Sequence, residues 1–107
     1  HAIQEGDSGS AQSRAVPLKG PVLETFAHLA RTYGTNLILP VLLNEVAEGY
    51  GFSNSAVVLN REGGIVGIYR KVFPVAEFGN PVLEGGVTPG AEFPVFDCDF
   101  GRLGIQI

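Results

Sequence analysis

The residues able to do chemistry in this chain are few, and they fall in its second half. In GIVGIYRKVFP, residues 64 to 74, an almost wholly apolar run ends in Arg70 and Lys71 and opens into a long loop. A cation at the edge of a buried layer has to be paired, solvated or used. In open α/β sheets ligands gather beyond the carboxyl ends of strands, so Lys71 stands where a substrate would sit; position alone also reads as a solvated strand end. Glu84, in PVLEGGVTPG, is a carboxylate in a glycine-rich loop, free to approach a lysine or a ligand. Glu77 lies in the same loop, local chemistry does not separate the two, and either also reads as an exposed loop charge. Cys98 is the single thiol. Strand alternation in FPVFDCDF puts it on one face with Phe96 and Phe100, Asp97 and Asp99 facing the other way, which reads as a core residue and not a nucleophile. His28 falls with Glu24, Thr25 and Arg31 on the polar side of a helix, and with His1 it forms no cluster of metal-ligand spacing. The glycines of REGGIVG precede a strand, not a helix, and match no phosphate-cradling pattern.

The elements that must position these residues alternate in type. Residues 1–20, rich in Gly, Ser and Gln, show neither periodicity and read as a loop or connector. From Pro21 the apolar residues Val22, Phe26, Leu29, Ala30 and Tyr33 recur at helical spacing until Gly34, which predicts an amphipathic helix over 21–33. TNLILPVLL is short and apolar throughout, as suits a strand covered on both faces. FSNSAVVLN and GIVGIYRKV read as a hairpin turned by REGG. Phe73 to Glu92 holds no pattern and reads as a functional loop. EFPVFDCDF and GRLGIQI supply two closing strands. A helix laid on strands apolar on both faces predicts a layered α/β architecture, with more helical cover than one helix provides.

Composition narrows the classes. Among 107 residues, 45% are hydrophobic, and 7 Lys+Arg against 11 Asp+Glu leave a net charge of -4. No basic stripe could neutralise a phosphate backbone, so nucleic acid is not an expected partner. The longest apolar stretch, NLILPVLLN, is too short to span a bilayer, and no charged leader precedes a hydrophobic region. One cysteine excludes an intrachain disulfide framework and points to a reducing, cytoplasmic setting.

Taken together, SNSAVVLNREGGIVGIYRKVFP, LEGGVTPG and FPVFDCDFGRLGIQI resemble the middle of a carbon-nitrogen hydrolase of the nitrilase superfamily, and GPVLETFAHLARTYGTNLILPVLLNE is similar, more weakly, to the helix and strand upstream. The resemblance implies an α-β-β-α sandwich with a mixed sheet, of which residues 1–107 would be one partial domain, an internal fragment. Residue by residue, it implies that Lys71 is the lysine that holds the tetrahedral oxyanion and that Glu84 is the second, substrate-positioning glutamate, with Glu77 as the alternative; Asn54 and Tyr69 match motif positions of mainly structural character. The family's general-base glutamate would fall before His1, and its nucleophilic cysteine immediately after Ile107; Cys98 matches neither. The implied reaction is hydrolysis of a small linear amide or N-carbamoyl compound, without metal or organic cofactor, by an enzyme that forms homo-oligomers. The 107-residue chain alone is expected to be inactive. An acyltransferase on the same fold and a non-catalytic binding or assembly module are the alternatives.

Overall fold

The computed structural model describes residues 14–73 and 87–107. A two-residue strand, β1 (Val16–Pro17), leads into helix α1 (Pro21–Tyr33), followed by β2 (Leu37–Glu45), a single 3-10 turn at Val46–Glu48, β3 (Gly51–Leu59), β4 (Ile65–Arg70), β5 (Val95–Cys98) and β6 (Gly101–Gly104). The helix has the predicted bounds. Pro21 opens it after Gly20, and Gly34, in the left-handed region at φ 58, closes it, while the Thr35 N–H donates to the Ala30 carbonyl at 3.1 Å. Its buried stripe is Leu23, Ala27 and Ala30, with Phe26 half-buried. Of the face read from the sequence, Val22, Leu29 and Tyr33 are exposed. The correction has a simple cause: small Ala27 lets the helix sit close to its neighbours, and the larger apolar residues flank the seam.

β1 to β4 form one mixed sheet in that order, β1 parallel to β2 and the other pairs antiparallel. Part of the segment read as connector therefore contributes an edge strand. The β3–β4 connection is the expected hairpin. The Asn60 side-chain carbonyl accepts from the N–H groups of Glu62 and Gly64, at 3.0 and 2.8 Å, and Gly63 takes φ 82. A Cβ on Gly63 would come within 2.7 Å of the Ala27 carbonyl, so the turn rests directly on α1.

The sheet's two faces have different partners. On one side Leu43, Val57 and Leu59 pack against Leu23 of the helix. On the other, Val58 and Tyr69 pack against Phe96 of β5. The closing strands pair with each other, as a separate antiparallel sheet laid across the back of β3 and β4. Gly67 makes this possible, since a Cβ there would strike the Phe96 ring. Cys98 is half-buried in this second cluster, as expected of a core thiol. Phe100, read as sharing its face, sits instead in the Asp99–Phe100 turn and is exposed. β6 ends at Gly104, short of the apolar strand read to Ile107. Ile38 and Pro40 of β2 are exposed, so the two-sided cover expected for this strand is not supplied over those residues by the described part of the chain.

A polar brace ties the β5–β6 sheet to the rest. Arg61, in the β3–β4 turn, donates from Nε to Asp99 at 2.5 Å and from Nη1 to the Gly34 carbonyl at 2.6 Å, while Asn36 donates to Asp99 at 2.8 Å. The Arg61 hydrogen bond, then that from Asn36, lowers the Asp99 pKa. A depressed folded-state pKa stabilises above the ordinary carboxylate range, and that contribution is lost as pH falls through the lowered value. In urea titrations of the protein, Asp99→Asn should lower stability at neutral pH and flatten its decline on acidification. Identical acid slopes for both proteins would show that the brace carries no such linkage.

Candidate functional site

The carboxyl end of β4 is where the sequence placed its strongest candidate. The antiparallel register sets Arg70 opposite Ser55. It continues one residue further, where the Lys71 N–H donates to the Asn54 carbonyl at 2.8 Å. The Lys71 carbonyl in turn accepts from the Gly90 N–H at 2.9 Å. Lys71, half-buried, is thus fixed through both its backbone groups. By alternation it follows Tyr69 on the side of the sheet covered by β5 and β6, with Arg70 on the helix side. Tyr69 is fully buried and the Asn54 backbone carries part of the strand end, in keeping with the structural parts that the resemblance assigns them.

Arg70 is not the solvated strand end that position alone suggested. Its guanidinium grips Glu45 with both arms, Nε to Oε1 at 2.9 Å and Nη2 to Oε2 at 2.7 Å. It also lies 4.2 Å from the centre of the Tyr50 ring. The Glu45 side chain is 2% exposed and that of Arg70 24%. The hydrogen bond to Glu45 raises the Arg70 pKa, burial opposes it, and the charges of Glu45, Tyr50 and Glu92 reinforce it. The register explains how the pair can meet: Glu45 stands opposite Gly51 and Arg70 opposite Ser55, so the diagonal between them crosses β3 at Ser53. Only small side chains stand on that path. Ser53 and Ser55 are buried, with their hydroxyls 2.6 Å apart. Sequence reading missed Glu45, although an acid closing an apolar strand was visible in LILPVLLNE; its partner becomes clear only from the three-strand register.

The loop that would carry the acid returns to this strand end. Glu84 and Glu77 lie outside the described residues. From Val87, which is buried, the chain runs past the β3 and β4 ends: the Thr88 N–H donates to the Phe52 carbonyl at 2.5 Å, and Gly90 bonds Lys71. Two glycines permit the approach. A Cβ on Gly51, at φ 79, would come within 2.9 Å of the Thr88 hydroxyl, and one on Gly90 would strike the Arg70 carbonyl oxygen. A cavity of about 140 Å³ remains between Tyr50, Ile68, Arg70, Thr88, Gly90 and Glu92. His28 is exposed, with Nε2 3.4 Å from the Thr32 hydroxyl.

A helix-backed mixed sheet defines the class as a layered α/β protein, and the candidate site lies where β4 ends. The carbon-nitrogen hydrolase family model matches residues 6–107, and the chain belongs to that family. It is 29% identical over 89 residues to a probable nitrilase of Schizosaccharomyces pombe, covering 83% of this chain and 31% of the relative. It is 28% identical over 97 residues to a β-ureidopropionase of Arabidopsis thaliana, covering 87% and 23%. A crystal structure of a carbon-nitrogen hydrolase from Helicobacter pylori superposes with a TM-score of 0.67 at 31% identity, covering 79% of this chain and 28% of that one. The chain thus spans less than a third of the length of each of these relatives, and its mixed sheet and helix are of the nitrilase type.

The seat of the loop is open to test. Gly90→Ala forces either the loop or the β4 end to move and should cost about 1–3 kcal/mol in urea unfolding of the protein. Wild-type stability in that variant would mean that the loop does not rest on Arg70.

Proposed function

We propose that the protein carrying this chain hydrolyses a carbon-nitrogen bond other than a peptide bond, in a linear amide or an N-carbamoyl compound. Family membership supports the reaction class. The carrying observation in this chain is Lys71, held by Asn54 and Gly90 at the strand end where substrates of α/β proteins collect. The β-ureidopropionase relative supports the carbamoyl half of the reading, a ureido group being an N-carbamoyl amine.

In this mechanism a cysteine thiol, which the family pattern sets immediately after Ile107, passes its proton to the general-base glutamate and attacks the carbonyl carbon, opening its π bond onto oxygen. Lys71 presents its ammonium to the resulting oxyanion, a preorganised charge aimed where negative charge develops. Collapse of the tetrahedral species expels ammonia or an amine, protonated by the general-base glutamate that the pattern sets before His1. The same glutamate then draws a proton from water, which attacks the thioester and frees acid and thiol. Glu84 orients the substrate beside Lys71. Cys98, packed with Val58, Tyr69 and Phe96, is not the nucleophile. No helix among the described residues is long and apolar enough to cross a membrane.

The test is ammonia release by the full-length protein from a panel of linear amides and N-carbamoyl amines. Lys71→Ala should lower kcat/KM by about 10²–10³-fold, the usual loss when an oxyanion donor is removed. Glu84→Gln should lower it as well, while Cys98→Ala should leave it near wild type. Near-wild-type turnover in Lys71→Ala would remove the lysine from its role.

A further inference from the structure

The peptide that carries Lys71 is held from three directions. Arg70 reaches across β3 to Glu45 of β2, the Lys71 N–H is bonded to Asn54 of β3, and the Lys71 carbonyl to Gly90 of the incoming loop. The first of these restraints differs from the others, because it fixes a side chain's direction and not only a backbone register. Both Glu45 oxygens accept from the one guanidinium, whose other face covers the Tyr50 ring. Turning residue 70 away would leave a carboxylate with 2% side-chain exposure without the cation that both its oxygens bind. Arg70 is therefore locked onto the helix side of the sheet. The Lys71 N–H bond to Asn54 carries the extended pairing one residue past Arg70, and successive residues of an extended strand project to opposite faces, so the same lock sends Lys71 to the β5–β6 side.

We propose that Glu45 and Arg70 are positioning residues for Lys71: their ion pair sets the twist of the last residue of β4 and with it the direction in which the lysine leaves the strand. The proposal rests on the catalytic role given to Lys71 above. A fork-shaped guanidinium is needed for it, since an ammonium at position 70 keeps the charge but loses the bidentate geometry. A buried carboxylate is needed to receive both arms.

The test uses the full-length protein with Glu45→Gln, Arg70→Lys, and the apolar double variant Glu45→Leu/Arg70→Met. Three quantities are read: kcat and KM for ammonia release, the thermal midpoint, and the rate at which trinitrobenzenesulfonate modifies Lys71, followed by peptide mass spectrometry. Each single variant should lower kcat by about 10–100-fold with KM within about threefold, as for a misplaced group that acts mainly in the transition state. The double variant separates positioning from stability, because an apolar pair of similar volume replaces a buried ion pair with little or no loss of stability. Its thermal midpoint should stay near wild type while kcat stays low, and Lys71 should be modified at a changed rate in all three proteins. Recovery of kcat along with stability in the double variant would reduce the pair to a structural brace and overturn the proposal, as would wild-type kcat in both single variants. If the wild-type protein releases no ammonia from any substrate, the functional reading falls by itself, and Lys71 modification still decides: an unchanged rate overturns the positioning role and a changed one upholds it. Should Glu45→Gln fail to fold, Arg70→Lys, which keeps the charge opposite Glu45, gives the same readouts.

Discussion

The Glu45–Arg70 pair is the constraint around which this end of the sheet is organised. Transferring a carboxylate to a site with 2% side-chain exposure is costly unless a cation with matching geometry meets it, and Arg70 does so with two hydrogen bonds. Removing one partner from a fully buried pair of this kind costs about 3–5 kcal/mol; here the figure is lower, because the Arg70 side chain is 24% exposed. The pair also dictates what surrounds it. The residues between its halves have to be small, hence Ser53 and Ser55, and a flat ring has to lie against the guanidinium, hence Tyr50. Strand β3 is buried along its helix face from Ser53 to Leu59, but only the half beyond Ser55 is apolar.

That change of character along one strand separates an apolar end of the sheet from a charged one. At one end, Val57 and Leu59 pack with Leu23 of α1; at the other, beyond Leu43, the helix-side face is given over to Glu45 and Arg70. The face under β5 and β6 is arranged differently. Phe96 covers Gly67 and touches Val58 and Tyr69, and the next residue along β4's alternation is Lys71. Glycine recurs where one segment has to touch another's backbone: Gly63 on Ala27, Gly67 under Phe96, Gly90 on Arg70. Each marks a contact between elements distant in sequence, and each would clash with a Cβ.

Much of this was legible in the sequence, for local reasons. The helix bounds follow from Pro21 and Gly34, whose effects on the backbone need no tertiary context. The hairpin follows from two β-type runs and a turn containing Gly63 and Asn60. Lys71 stood out because charge at the end of an apolar run requires an explanation. What was not legible depends on pairing. Glu45 is 25 residues from Arg70, and the bond between them follows from the registers of two strand pairs together. Of the buried stripe of α1, Ala30 lies on the face read from the sequence and Leu23 and Ala27 do not, because the stripe is set by Leu43, Val57 and Leu59 of the sheet, partners that only the fold supplies. The pairing of β5 with β6 as a second layer turned on Gly67, whose lack of a side chain says nothing until Phe96 is placed over it.

The loop between β4 and β5 links these local and distant effects. It leaves from Lys71 and returns to it, since Gly90 bonds the Lys71 carbonyl. A loop closed by such a bond keeps its residues at high effective concentration near the junction, and the entropy of closure grows only slowly with its length. Glu77 is six residues after Lys71 (77 − 71) and Glu84 six residues before Gly90 (90 − 84), so tether length treats the two acids alike. Local chemistry separates them no better, so it is the match to the family pattern, and not the closure of the loop, that singles out Glu84 in the proposed mechanism.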